Sequence, residues 1–124
     1  MPIVNLTELS TVATEFGRWQ ALNAPLGLSG FGVNAFTADI GERIDNGHDE
    51  SDSQQEELYI VVGGSAVVTV DGVEHVATPG TLISVPDPAT ARSIRVLESG
   101  TRIVCIGAQA GSGSEGYGDW VVPA

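Results

Sequence analysis

The chain changes texture after its first seventeen residues. Leu6, Leu9, Val12, Ala13 and Phe16 recur at helical spacing, which predicts a short amphipathic helix over residues 5–17. Asn5 is placed to cap it, with Glu8 as capping-box partner, and Gly17 is a natural stop. Beyond Trp19 the apolar runs become short and rich in Val and Ile, as strands prefer. They predict strands at Trp19–Ala21, Phe31–Ala38, Leu58–Val62, Ala66–Val70, Val73–Ala77, Thr81–Val85, Ser93–Leu97 and Arg102–Gly107. Asp71-Gly72 between AVVTV and VEHVA signals a two-residue hairpin, which sets Val68 opposite His75. Pro79-Gly80 marks another turn. Evenly spaced short strands with turn residues between them predict an all-β sandwich or barrel.

Length and hydropathy bound the rest. The chain has 124 residues, 42% of them hydrophobic, which suits one domain with a real core. The expected organisation is a single domain, 1–124: helix and lead-in over 1–30, barrel over 31–107, and a glycine-rich tail over 108–124. Tyr117 and Trp120 are placed to anchor that tail to the barrel or to a second subunit. No apolar run approaches the length of a membrane span. The N-terminus lacks the pattern of a secretion signal, so a cytoplasmic protein is expected. Cys105 is the only cysteine. It lies in the apolar run RIVCIG, where a small buried hydrophobe is expected rather than a reactive thiol.

Charge excludes some partners. The net charge is −11, so neither nucleic acid nor an anionic membrane surface is an expected partner. The cations are Arg18, Arg43, Arg92, Arg95 and Arg102, with no lysine. Any fixed positive charge in a pocket is therefore a guanidinium, suited to carboxylate or phosphate. Half of the 16 acids fall between Asp39 and Glu57. Such density describes a solvated loop, or a supply of hard oxygen ligands for a cation.

The densest part is GHDESDSQQEELYIVVGG, residues 47–64. His48 stands there among Asp49, Glu50, Asp52, Glu56 and Glu57, and an apolar strand follows. Side chains alternate along a strand, so Glu57, Tyr59 and Val61 share one face and Glu56 the other. A Glu57 turned inward must be paired, hydrogen-bonded, metal-bound or protonated, because an isolated buried charge is too costly.

EELYIVVGGSAVVTVDG followed by ATPGTLISVPDPATAR resembles the cupin superfamily, over about Phe36 to Gly107. Members are small jelly-roll β-barrels, often dimeric, in which two short motifs supply metal ligands. The first runs Gly, five residues, His, one, His, three or four, Glu, six, Gly. Here Glu57 is followed by six residues and Gly64, while Gly41 is separated from His48 by six residues rather than five. Glu50 stands where the second histidine belongs, with six residues between it and Glu57. The second motif runs Gly, five, Pro, one, Gly, two, His, three, Asn. Gly80 and Pro86 keep its frame, Pro88 replaces the glycine, and Ala91 and Arg95 stand where histidine and asparagine belong.

The resemblance implies a cupin-type jelly-roll barrel with a short N-terminal helix, a homodimer, and a small polar or anionic ligand in the barrel. It implies His48 and Glu57 as catalytic residues, and His48, Glu50 and Glu57 as ligands of one divalent ion (Fe, Mn, Zn or Ni). With two motif ligands replaced, a metal-free isomerase or cyclase type and a non-catalytic binding module stand beside that reading. Tyr59, Arg92 and Arg95 are the candidate ligand-binding residues. Counting from Ala91, alternation puts Arg95 with Ser93 on the barrel side and Arg92 on the other, with the preceding PDPA turn leaving that parity open.

Overall fold

The structure, a computed structural model, describes residues 2–109. It is built almost wholly of antiparallel strands in two sheets. The N-terminal helix does not form. Leu6–Glu8 make a single 3-10 turn, capped by Asn5, whose side chain accepts from the Thr7 amide at 2.9 Å. The chain then turns into β1 (Val12–Thr14), which pairs with β2 (Gly17–Ala21). Val12 and Thr14 are β-branched and lose rotamer freedom in a helix. Pairing with β2 offers their backbone a ladder instead. Leu6 and Leu9 still partly bury their side chains, but on the outer face of a sheet beside Leu22, Val33 and Ala35. The buried Gln20 fastens that segment by donating to the carbonyls of Leu6 at 2.8 Å and Leu9 at 3.1 Å.

The remaining strands are β3 (Gly32–Ala38), β4 (Arg43–His48), β5 (Gln55–Gly63), β6 (Ala66–Val70), β7 (Val73–Ala77), β8 (Leu82–Val85), β9 (Arg92–Val96) and β10 (Thr101–Gln109). A single helical turn, Asn23–Leu26, links β2 to β3. One sheet has the order β1-β2-β3-β10-β5-β8, the other β4-β9-β6-β7. Among the described residues the two are not joined edge to edge by strand pairing, so the expected closed barrel is a two-sheet arrangement whose faces meet through side chains. Between them lies the main core, which includes Ile44, Tyr59, Val61, Val68, Val85, Ile94, Val96 and Ile103. Tyr117 and Trp120 fall outside the described residues.

The hairpin between β6 and β7 has the expected register, with Val68 opposite His75. Asp71 and Gly72 both take positive φ, +50° and +78°, the requirement of the tight turn their sequence signals. Gly64 is demanded more strictly. Its φ is +76°, and a Cβ there would lie 2.7 Å from the Thr101 Cα. Gly64→Ala should therefore destabilise the protein by about 2–4 kcal/mol, summing left-handed strain and overpacking. Urea unfolding checks it, and a loss below about 0.5 kcal/mol, the scale of an ordinary surface change, would contradict it.

Candidate functional site

The site is assembled from both sheets and one loop. β5 contributes Glu57 and Tyr59, which face inward as alternation predicts; Tyr59 is 3% exposed. β10 pairs with β5 so that Cys105 lies opposite Tyr59. β9 contributes Arg92, and β4 ends at His48, whose Cα is registered with Arg92. Glu50 follows in the turn. Its amide donates to the Pro88 carbonyl at 2.7 Å, and its carbonyl accepts from the Gln54 amide at 2.7 Å. Those bonds turn Glu50 inward while Asp49, Ser51 and Asp52 stay exposed. Only part of the acidic stretch is thus a solvated loop. In that part the Ser51 backbone amide, bonded to Asp49, holds its carboxyl below the usual range.

Three potential ligand side chains converge. His48 Nε2 lies 2.9 Å from Glu50 Oε1 and 3.8 Å from Glu57 Oε1. One ligand atom from each of His48, Glu50 and Glu57 falls within 4.8 Å of the others. Ligands held about 2.0–2.5 Å from a shared divalent ion span such distances. The donor set, one imidazole and two carboxylates, also suits a first-row divalent ion. The residues present therefore fit the metal that the resemblance implies. Ser53 Oγ donates to Glu50 Oε2 at 2.6 Å, which leaves Oε1 turned toward the imidazole.

Glu57 is held from three further directions. Tyr59 donates its hydroxyl to Glu57 Oε1 at 2.9 Å, and the Cys105 thiol donates to Oε2 at 3.2 Å. Arg92 NH2 lies 3.1 Å from Oε1, with the arginine side chain wholly buried and Glu57 10% exposed. The arginine NH1 donates to the Thr90 carbonyl at 3.0 Å. Nε and NH2 find no aligned acceptor, so the contact with Glu57 is an ion pair without a linear hydrogen bond. Burial, and then the neighbouring Glu57 charge, raise the Cys105 thiol far above its usual range. It is a proton donor to Glu57 rather than a nucleophile.

These groups border a cavity of about 530 Å³ open to solvent at its His48 side. Glu50, Glu57, His48, Tyr59 and Cys105 line it, with Asn34 and Phe36 from β3, Gln55 from β5, and Phe16 from the turn between β1 and β2. Phe16 was expected on a helix face. Asn34 and Phe36 alternate with the outward Val33 and Ala35, a period-2 signal in the sequence that could have nominated them. Cys105 carries no such mark; its role depends on the β5–β10 register.

Of the two arginines whose parity the sequence leaves open, Arg92 is the one that faces inward. Arg92, Ile94 and Val96 are buried between the sheets, and Arg95 is exposed on the outer face. Arg95 therefore does not reach the cavity. The turn from Pro86 to Thr90 resets the strand's parity by one residue, so Ala91 is exposed and its neighbour Arg92 points inward. His75 is exposed on β7, away from the site.

Fold and site together define a two-sheet, all-β protein with an acid- and histidine-lined cavity between the sheets. No family model and no curated protein matches the sequence. Solved structures do match. A cupin protein from Bacteroides fragilis is 26% identical, with a TM-score of 0.68 over 94% of this chain and 98% of its own. A cupin-superfamily sugar phosphate isomerase from Silicibacter pomeroyi is 20% identical, with a TM-score of 0.71 over 88% of this chain and 76% of its own. KdgF from a Halomonas species is 15% identical, with a TM-score of 0.69 over 83% and 88%. The chain has the fold of these cupin proteins. Among the described residues no helix is long and apolar enough to cross a membrane.

Proposed function

We propose that this cupin-fold protein binds a small polar molecule between its sheets and that His48, Glu50 and Glu57 hold one divalent ion there. The observation that carries the reading is the convergence of those three ligand atoms at the cavity wall. An ion so held supplies Lewis acidity toward a bound oxygen. The chain's own groups do the rest. Glu50, fixed by Ser53, orients the His48 imidazole. Tyr59 and Cys105 keep the Glu57 carboxylate aimed, and the buried Arg92 pairs with it. Phe16 and Phe36 exclude water from one side of the ligand. The test is calorimetric titration of untagged, chelator-stripped protein with Mn²⁺ or Zn²⁺, followed by anomalous scattering. One ion per chain, bound by His48, Glu50 and Glu57, is the expected outcome; no stoichiometric uptake would remove the metal from the reading.

A second reading has its own support in Arg92. A buried guanidinium beside Glu57 already offsets that carboxylate's charge without a metal. An isomerase-type reaction could then run on acid–base chemistry alone, with the Glu50-oriented His48 moving the proton. Turnover of an identified substrate that survives a chelator but is lost in His48→Ala separates this reading from the first.

A further inference from the structure

The chain has five arginines and no lysine, and none of the five presents its guanidinium to the cavity. Arg18 is on the outside, 3.4 Å from Asp39. Arg43 and Arg95 are exposed. Arg102 donates to Thr37 at 3.2 Å, on the opposite face of β10 from Ile103 and Cys105. Arg92 is wholly buried, is not among the cavity-lining residues, and is paired with Glu57. His75 is exposed on β7. Of the side chains that can carry positive charge, only the His48 imidazole borders the cavity, and its Nε2 is engaged by Glu50 at 2.9 Å.

What does line the cavity is rich in acceptors. Glu50 and Glu57 present carboxylates, Asn34 and Gln55 present amides, and Phe16, Phe36 and Tyr59 present aromatic carbon. The surrounding chain carries a net charge of −11, which makes the field at the mouth repel anions and attract cations. A carboxylate or phosphate entering this space meets like charge and no guanidinium fork. A hydroxyl or ammonium meets acceptors, and the C–H faces beside it meet aromatic rings.

We propose that the cavity takes a hydroxyl-rich ligand without fixed negative charge, a polyol or an amino-polyol, and that the protein's own side chains reject anions. This rests on the reading of the cavity as the ligand site. It revises the expectation, drawn from the arginines in the sequence, that the ligand could be an anion held by a guanidinium.

Three compounds that share a phenyl group and differ in charge test it: 1-phenyl-1,2-ethanediol, 2-amino-1-phenylethanol and mandelate. Binding to the full chain is followed by protein-observed NMR at pH 8 in excess EDTA. The diol and the amino alcohol should perturb cavity resonances, with mandelate at least about tenfold weaker, the scale of one like charge at contact distance near a protein surface. In Glu50→Gln the gap should narrow, because the lining carboxylate that is not paired with Arg92 is gone. Mandelate binding in EDTA as tightly as the diol would overturn the inference and leave the cavity as the ligand site. An unchanged gap in Glu50→Gln would also overturn it. Failure of all three compounds to perturb the cavity would instead overturn the assignment of the cavity as the ligand site, and this inference with it.

Discussion

Replacing Glu57 by leucine should cost the fold about 3–5 kcal/mol, and replacing Arg92 by methionine should cost less, about 1–3 kcal/mol. The asymmetry comes from where the two charges sit. Arg92 is wholly buried, and its Nε and NH2 already lack aligned acceptors. A guanidinium cannot shed its proton to escape, so without Glu57 it is an uncompensated charge between two sheets. Glu57 is 10% exposed at the cavity wall and keeps donors in Tyr59 and Cys105 when Arg92 is gone. The double substitution Glu57→Leu with Arg92→Met should recover much of the single Glu57 loss, because a paired charge is replaced by apolar volume. Denaturant unfolding of the four proteins checks all of this. Equal losses for the two single variants, or strict additivity in the double, would show that Arg92 is compensated by something other than Glu57.

How much of this was legible beforehand depended on how local the cause was. The Asp71-Gly72 hairpin and its Val68–His75 register were readable because two residues dictate the turn. Glu57, Tyr59 and Val61 were readable as one face because a regular strand alternates. The N-terminal segment was misread because Leu6, Leu9, Val12 and Phe16 do fall at helical spacing. What overrides that spacing is a neighbouring strand, β2, with its ladder to offer. β4 was missed because Arg43–His48 carries a single apolar residue, Ile44, and so shows no period of its own. Which arginine faces inward stayed open because strand parity cannot be counted through a proline-rich turn. Glu50 could be named as a substitute ligand but not placed, since its inward turn rests on a bond to Pro88 far along the chain.

That placement of Glu50 is also what makes the strongest test of the metal reading possible. His48→Ala should weaken Mn²⁺ or Zn²⁺ binding by at least about 100-fold, since even changes behind a ligand commonly cost 10–100-fold. Glu50→Gln should be comparably severe. Asp52→Asn removes the same unit of charge as Glu50→Gln and lies in the same loop, yet its side chain is exposed and is not among the converging ligands. Its effect should stay within about twofold, the residue of a screened surface charge. The contrast matters because a chain with net charge −11 attracts cations everywhere, and weak uptake by the general field could imitate a site. Stability offers a second readout. An ion at about 100 times its Kd stabilises the native protein by about 2.7 kcal/mol. That gain should persist in Asp52→Asn and vanish in His48→Ala. Calorimetry and thermal unfolding, each with and without the ion, decide between ligation and field. If Asp52→Asn weakened binding as much as Glu50→Gln, the field would be the whole effect, and His48, Glu50 and Glu57 would not be ligands.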